Sequence, residues 1–120
     1  FPRISDDYVG YKNRYTYAAR FRVEDMPTFD GEMKYDNETG EIEMHYFGDH
    51  AESGEAVFVP RIGSTKEDDG YVICFVYDRN AGTSECQILD AQNWHADPVA
   101  KIKIPQRVPH GFHAAWVPHG

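Results

Sequence analysis

Long apolar runs, basic residues and cysteines are all scarce in this sequence of 120 residues. No apolar run approaches the roughly 20 residues of a membrane-spanning helix, and the start of the chain has no signal-peptide pattern. Lys and Arg number 12 against 20 Asp and Glu, so the net charge of −8 argues against nucleic acid as a partner and against an anionic membrane bound by charge. Length and composition predict one modest domain in the cytoplasm.

The two cysteines, Cys74 and Cys86, fall in adjacent predicted strands. A cross-strand disulfide is conceivable there, but without a secretory signal the pattern favours two buried thiols in a reducing compartment.

The sequence also has no helical period of useful length, and its patterns predict strands and an all-β fold instead. Aromatic residues make up 14% of the chain, which favours β-structure. A turn cluster ending in Gly40 predicts a hairpin between two alternating runs, and residues 47–54 are predicted to be a polar loop. The run 71–77 is nearly unbroken and predicts a strand covered on both faces. The predicted strands are 15–23, 31–36, 41–47, 56–60, 71–77, 84–89 and 99–104.

The last four of these strands have the size of one propeller blade and are predicted to form one antiparallel sheet. The earlier strands would supply most of another blade, so the sequence predicts open edges that need partners. Between the predicted strands 56–60 and 71–77, residues 66–70 read Lys-Glu-Asp-Asp-Gly. This stretch predicts a solvated turn, with a metal-binding acidic loop as the less favoured alternative.

His113 is the candidate metal ligand. It follows Gly111 and Phe112 and precedes Trp116 in a segment of little charge, where the two aromatic rings would keep the imidazole dry. A ligating histidine usually donates its other ring N–H to a carboxylate, and Glu55, followed by an apolar run, fits that part. We predict that the two side chains lie within hydrogen-bond reach, with Glu55 at the start of strand 56–60. The alternative is that both are ordinary polar residues of the core.

Five motifs together resemble the C-terminal part of the carotenoid cleavage oxygenases, over essentially the whole chain. That family includes apocarotenoid oxygenases, lignostilbene dioxygenases and the retinal pigment epithelium isomerohydrolase. The motifs are, in order, Phe1-Pro-Arg-Ile, Gly54-Glu-x-x-Phe-Val-Pro-Arg61, Glu67-Asp-Asp-Gly70, Ile88-Leu-Asp-Ala91 and Gly111-Phe-His113.

The resemblance implies a seven-bladed β-propeller with a non-haem Fe(II) on its axis. Four histidines hold the iron, and three glutamates orient three of those histidines. His113 matches the last ligand and Glu55 the last glutamate, and their separation of 58 positions (113 − 55) agrees with the family pattern. The other ligands would lie upstream. Residues 1–120 are accordingly predicted to be the C-terminal part of a single propeller domain, about two blades, with no separate second domain.

The function implied is oxidative cleavage by O₂ of a conjugated C=C bond in an apolar carotenoid, apocarotenoid or stilbene, and the remaining blades of the longer chain are implied partners. The resemblance is compatible with membrane association of that longer chain but does not indicate it. Cleavage and isomerisation stay open alternatives, as does a non-catalytic module from a structural propeller. A chain with one of the four histidines is predicted to hold iron weakly and to be inactive alone.

Departures from the family pattern are confined to the surroundings of His113. Ala114 and Ala115 replace a Gly-Asn pair frequent in lignostilbene-type members, and His110 stands where an aromatic or apolar residue is commoner. Neither removes a ligand. Arg61 is predicted to pair with a nearby acid. The remaining histidines are predicted to be surface residues: His45, His50, His95 and His119.

Overall fold

A computed structural model describes residues 2–23, 28–111 and 113–119. These contain one 3₁₀ turn, Asp6–Tyr8, and eight strands, and no helix among them is long and apolar enough to cross a membrane. The strands are β1 (Tyr15–Arg22), β2 (Thr28–Asp36), β3 (Ile42–Tyr46), β4 (Ala51–Ser53), β5 (Val57–Pro60), β6 (Gly70–Asp78), β7 (Thr83–Asp90) and β8 (Ala100–Ile104).

All eight strands belong to one antiparallel sheet built from two meanders. The first runs β1–β2–β3, with Arg3 bridged to Tyr17 on its outer side. The second runs β5–β6–β7–β8, which confirms the prediction of one antiparallel sheet from residue 56 to residue 104. Strand β4 joins them, because it pairs with β6 and also meets β2 at Phe29 opposite Ser53.

The predicted hairpin is present between β2 and β3. Tyr35 pairs with Ile42, and Gly40 closes the turn at a φ of +78°, a conformation that a side chain disfavours. The Oδ1 of Asp36 accepts hydrogen bonds from the backbone N–H groups of Glu38 and Thr39, as in other Asx-type turns.

Strand β4 corrects the prediction of a polar loop over residues 47–54. Ala51 and Ser53 are buried, and the short run pairs with Asp78 to Val76 of β6. Three residues are too few to carry a period of two, so only the tertiary pairing identifies the strand. Strand β5 also begins at Val57, which leaves Glu55 in the connection before it rather than at its start.

The core lies between the two meanders. Tyr17 of β1 stacks on Phe58 of β5 at 5.4 Å between ring centroids and tilts against Trp94 at 5.6 Å. Strand β6 contributes Val72 and two further buried side chains to this core, whereas Phe75 on its other face is 44% exposed. The prediction that β6 is covered on both faces is therefore wrong for the described chain, which covers one.

The cysteine pairing is excluded by register. Cys74 lies opposite Gln87 and Cys86 opposite Phe75, so the two thiols are offset by one residue and point to opposite faces of the sheet. Both are free, but the favoured prediction of two buried thiols holds for Cys74 and not for the half-buried Cys86. Burial raises the pKa of the Cys74 thiol well above its usual range.

Candidate metal centre

Glu55 is a buried carboxylate that accepts hydrogen bonds from two residues, one near each end of the chain. Its side chain is 4% exposed. Oε2 accepts a hydrogen bond of 2.7 Å from the backbone N–H of Ala114 and one of 3.3 Å from Nη1 of Arg3. Because Arg3 also donates to the carbonyl of Ala114 at 2.8 Å, the three residues form a closed network that fixes the C-terminal segment to the body.

The imidazole of His113 lies beside the other oxygen of this carboxylate. Nδ1 is 3.5 Å from Oε1 of Glu55, an oxygen that is buried and has no hydrogen-bond partner among the described residues. The two side chains lie close together as predicted, but at 3.5 Å without a hydrogen bond between them, and Nε2 is on the opposite edge of a ring whose side chain is 67% exposed. An imidazole that turns Nδ1 toward a buried carboxylate suits a ligand that coordinates through Nε2.

The expected aromatic wall around His113 is only partly testable. Phe112 lies outside the described residues. Trp116 is 46% exposed and lines a different cavity, next to Ile62 and Pro118, so its predicted part in drying the imidazole is wrong. The apolar contacts near His113 come instead from Phe75 and Val76 of β6, which line the same cavity as the imidazole.

That cavity is a groove of about 230 Å³ between the C-terminal segment and the strands β4, β6 and β7. A second histidine, His110, lies on its wall, and its Nε2 is 3.1 Å from Oε2 of Glu52. The wall thus combines apolar side chains with two imidazoles, each against a carboxylate. Its lining includes Glu52, Glu55, Phe75, Val108, His110 and His113.

Residues 107–111 and 113–119, the described part of the segment that carries these histidines, have no regular secondary structure, and side-chain contacts hold them. The guanidinium of Arg107 lies 4.5 Å from the centre of the Tyr77 ring. The backbone N–H of Val108 donates to the hydroxyl of Ser84 at 3.0 Å. Sequence reasoning missed Arg3 and Glu52 as parts of this site, although Arg3 belongs to one of the motifs that carry the family resemblance.

The remaining histidines divide differently from the prediction. His50, His95 and His119 are exposed, as expected. His45 is half-buried instead: its Nδ1 lies 2.9 Å from the carbonyl oxygen of Trp94, and its ring meets that of Phe47 edge to face. On the β2–β3 hairpin it is turned toward the core, although it shares a strand face with Glu43, whose charge indicated a solvated face.

The acidic turn at residues 66–70 is neither a metal loop nor simply solvated. Glu67 accepts hydrogen bonds from the backbone N–H groups of Arg14 and Tyr15. Asp68 pairs with Lys34 at 3.0 Å, and Asp69 holds Arg61 through two contacts of 2.8 and 2.6 Å. The last pair confirms the acid predicted for Arg61.

A metal at His113 would need ligands beyond the described chain. Within residues 2–23, 28–111 and 113–119 no group of three His, Cys, Asp or Glu side chains is arranged to hold a metal ion. An imidazole backed by a buried carboxylate suits metal ligation, because such carboxylates fix the tautomer of the ligating ring. The other ligands of such a metal would come from other parts of a longer chain.

Comparison with known proteins gives the chain a family. The family model described as retinal pigment epithelial membrane protein matches residues 1–118. The chain is 38% identical to carotenoid 9,10(9',10')-cleavage dioxygenase 1 of Pisum sativum and 36% identical to apocarotenoid-15,15'-oxygenase of Synechocystis. These matches cover 98% and 97% of this chain, and the chain spans 24% of each relative.

The fold agrees with the sequence match. The crystal structure of the cobalt-substituted Synechocystis apocarotenoid oxygenase superposes with a TM-score of 0.90 at 33% identity, over 98% of this chain and 25% of that one. That enzyme is a β-propeller, so the predicted all-β class and partial propeller are confirmed. A quarter of a seven-bladed ring is just under two blades, in keeping with the two meanders. The chain therefore belongs to the retinal pigment epithelial membrane protein family, the family of the carotenoid cleavage dioxygenases to which its motifs point.

Proposed function

We propose that this chain is the C-terminal part of a non-haem Fe(II) dioxygenase that cleaves a conjugated double bond of an apolar substrate with O₂. The observation that carries the proposal is the pairing of His113 with the buried carboxylate of Glu55 in a chain of this family. The names of the relatives favour a carotenoid or apocarotenoid over a stilbene. The longer protein that contains this chain is called the parent protein below.

In this proposal His113 supplies one of the iron ligands through Nε2, and the upstream blades supply the others. Bound iron would bring O₂ activation to the site. Glu55, with Oε1 3.5 Å from Nδ1, would hold Nδ1–H in the metal-bound state, fix the tautomer and raise the basicity of the ring. The N–H of Ala114 and the guanidinium of Arg3 hold Oε2 of the same carboxylate, which limits how far Glu55 can turn away from the imidazole.

The groove beside His113 supports an apolar substrate. Phe75, Val76, Val108 and Pro109 lie along it, and a polyene has no polar group that would need a partner there. Apolar walls also exclude water from the reacting bond.

The uncovered faces of the two meanders support docking with the remaining blades. Large apolar side chains on these faces are exposed in the chain, among them Ile42, Tyr46, Phe75 and Ile102. Burying them against neighbouring blades would remove the apolar patches that a separate domain rarely exposes. The cytoplasmic location stays a prediction.

The test is oxygen uptake by the purified parent protein with an apocarotenoid substrate. We expect His113→Ala to abolish uptake, because it removes a ligand from the iron, and we expect His119→Ala to retain it, because His119 is exposed and lies at a different cavity. Wild-type uptake in the His113→Ala protein would remove His113 from the site, and no uptake by the wild-type parent protein would favour the non-catalytic alternative.

A further inference from the structure

Two histidine–glutamate pairs lie side by side in matching register. Glu52 and Glu55 are three positions apart on one segment, and His110 and His113 are three positions apart on the other. Each histidine meets the glutamate at the equivalent position, at 3.1 Å for His110 with Glu52 and 3.5 Å for His113 with Glu55. The proposed function uses the second pair and leaves the first without a role.

Glu52 has a fixed place and needs a partner. It lies on β4, opposite Tyr77 of β6, and its side chain is 11% exposed. Its Oε1 is 3.7 Å from Nε of Arg79, on the β6–β7 connection, so His110 provides the shorter of these two contacts. A carboxylate so nearly buried is stabilised by close polar partners, and loss of His110 removes the nearer of these two.

The segment around His110 depends on such contacts. No described residue from 107 to 119 pairs its backbone with a strand. The N–H of Val108 on Ser84 and the N–H of Ala114 on Glu55 tie the two ends of the histidine stretch to the body. Between these two tethers, His110 contacts Glu52 of β4, and exposed Gly111 next to it adds backbone freedom.

We infer that His110 is a positioning residue: its pair with Glu52 sets the register of the segment so that His113 meets Glu55 and presents Nε2 to the metal. A slip by one residue in extended chain displaces a side chain by about 3.3 Å, whereas metal–ligand distances are defined to about 0.2 Å. The proposed function gives the ligand role to His113, and His110 acts through its contact with Glu52. The inference rests on the proposed function, since it assumes the metal at His113.

The test measures cobalt(II) affinity and the visible absorption of the cobalt-substituted parent protein, whose bands report coordination geometry independently of turnover. We expect His110→Ala to weaken cobalt binding about tenfold, the lower end for residues that orient a ligand, and to change the bands without lowering the melting temperature to the same extent. His110→Gln, which keeps a donor at Nε2, should restore affinity and spectrum. His119→Ala is the matched control and should leave both unchanged.

The same contact can be tested from the strand side. Glu52→Ala should weaken cobalt binding as His110→Ala does, and the double variant should be no weaker than either single variant, because both remove one interaction. If His110→Ala does not fold, Glu52→Ala and His110→Gln carry the test. Wild-type affinity and spectrum in His110→Ala or Glu52→Ala, with metal lost in His113→Ala, would overturn the positioning role alone. Metal retained in His113→Ala would overturn the proposed function as well.

Discussion

Two buried glutamates of this chain have opposite surroundings. Glu55 has two N–H donors on one oxygen and an imidazole beside the other. Glu32, in the middle of β2, is 0% exposed and neither carboxylate oxygen has a hydrogen-bond partner among the described residues. Burial, with a smaller effect of the nearby Glu55 charge, raises the pKa of Glu32 well above its usual range. The interior therefore favours a protonated, neutral Glu32.

This environment makes stability depend on pH. Because the folded pKa of Glu32 is above the unfolded value of about 4.3, its full contribution is present below that value and is lost as pH rises through the folded pKa. We expect Glu32→Gln to become more stable relative to wild type between pH 5 and pH 8, by up to about 1.4 kcal/mol per pH unit until the folded pKa is reached. Chemical denaturation of the parent protein at a series of pH values measures this.

Glu41→Gln is the control for that series, because Glu41 is an exposed residue of the hairpin turn. Its stability relative to wild type should be the same at pH 5 and pH 8. A stability difference for Glu32→Gln that is also independent of pH would contradict the neutral state of the buried acid.

The contact of a single residue could be predicted from the sequence only where the chemistry of its partner was recognisable. His113 and Glu55 could be paired because a ligand and its carboxylate have a known chemistry and a family spacing. Arg3 and Glu52 could not, because their partners lie 52 and 58 positions away and nothing local in either residue indicates the contact. Glu32 was concealed for the opposite reason: an acid on an alternating strand indicates solvent, and here the polar face of β2 is the buried one.

At the scale of elements, the acidic turn at 66–70 ties the second meander to the first. Glu67 accepts from the N–H groups that begin β1, and Asp68 reaches Lys34 of β2. Lys34 is itself 6% exposed; its Nζ also donates to the carbonyl of Ala91 at 2.6 Å and lies 4.4 Å from the centre of the Tyr15 ring. One ammonium group thus connects three separate elements.

We expect Lys34→Met to destabilise the parent protein by about 3 kcal/mol, the lower end for breaking a buried pair, because Asp68 keeps some contact with solvent and loses its cation. Lys101→Met, on the exposed strand β8, should change stability by less than about 0.5 kcal/mol. Urea denaturation measures both. Equal effects of the two substitutions would show that Lys34 does not join the meanders.

Strands were predictable where the alternating or apolar run was long. They were missed where the run was short, and their buried face was misjudged where the polar residues point inward. The hairpin at β2–β3 and the sheet from β5 to β8 follow from alternation and turn residues. Strand β4 has three residues, too few for a period. Alternation along β2 and the nearly unbroken apolar run of β6 identified the strands but not which face is covered, because coverage depends on what packs on either side.

At the scale of the whole molecule, the chain is two meanders with a shared core and two uncovered apolar faces, and it spans about a quarter of the relatives that it matches. Its single candidate ligand among the described residues lies at a groove rather than in an enclosed site. Under the proposed function the metal centre is complete only in the parent protein, to which this chain would contribute His113 and the carboxylate that orients it.

Iron affinity, measured by competition titration against a chelator, tests that account most directly. We predict tight binding by the parent protein, binding weakened roughly 10- to 100-fold by Glu55→Gln, the range usual when the partner of a ligating histidine is changed, and no tight binding by the isolated 120-residue chain, which offers one imidazole. Unchanged affinity in Glu55→Gln, or stoichiometric iron in the isolated chain, would contradict it.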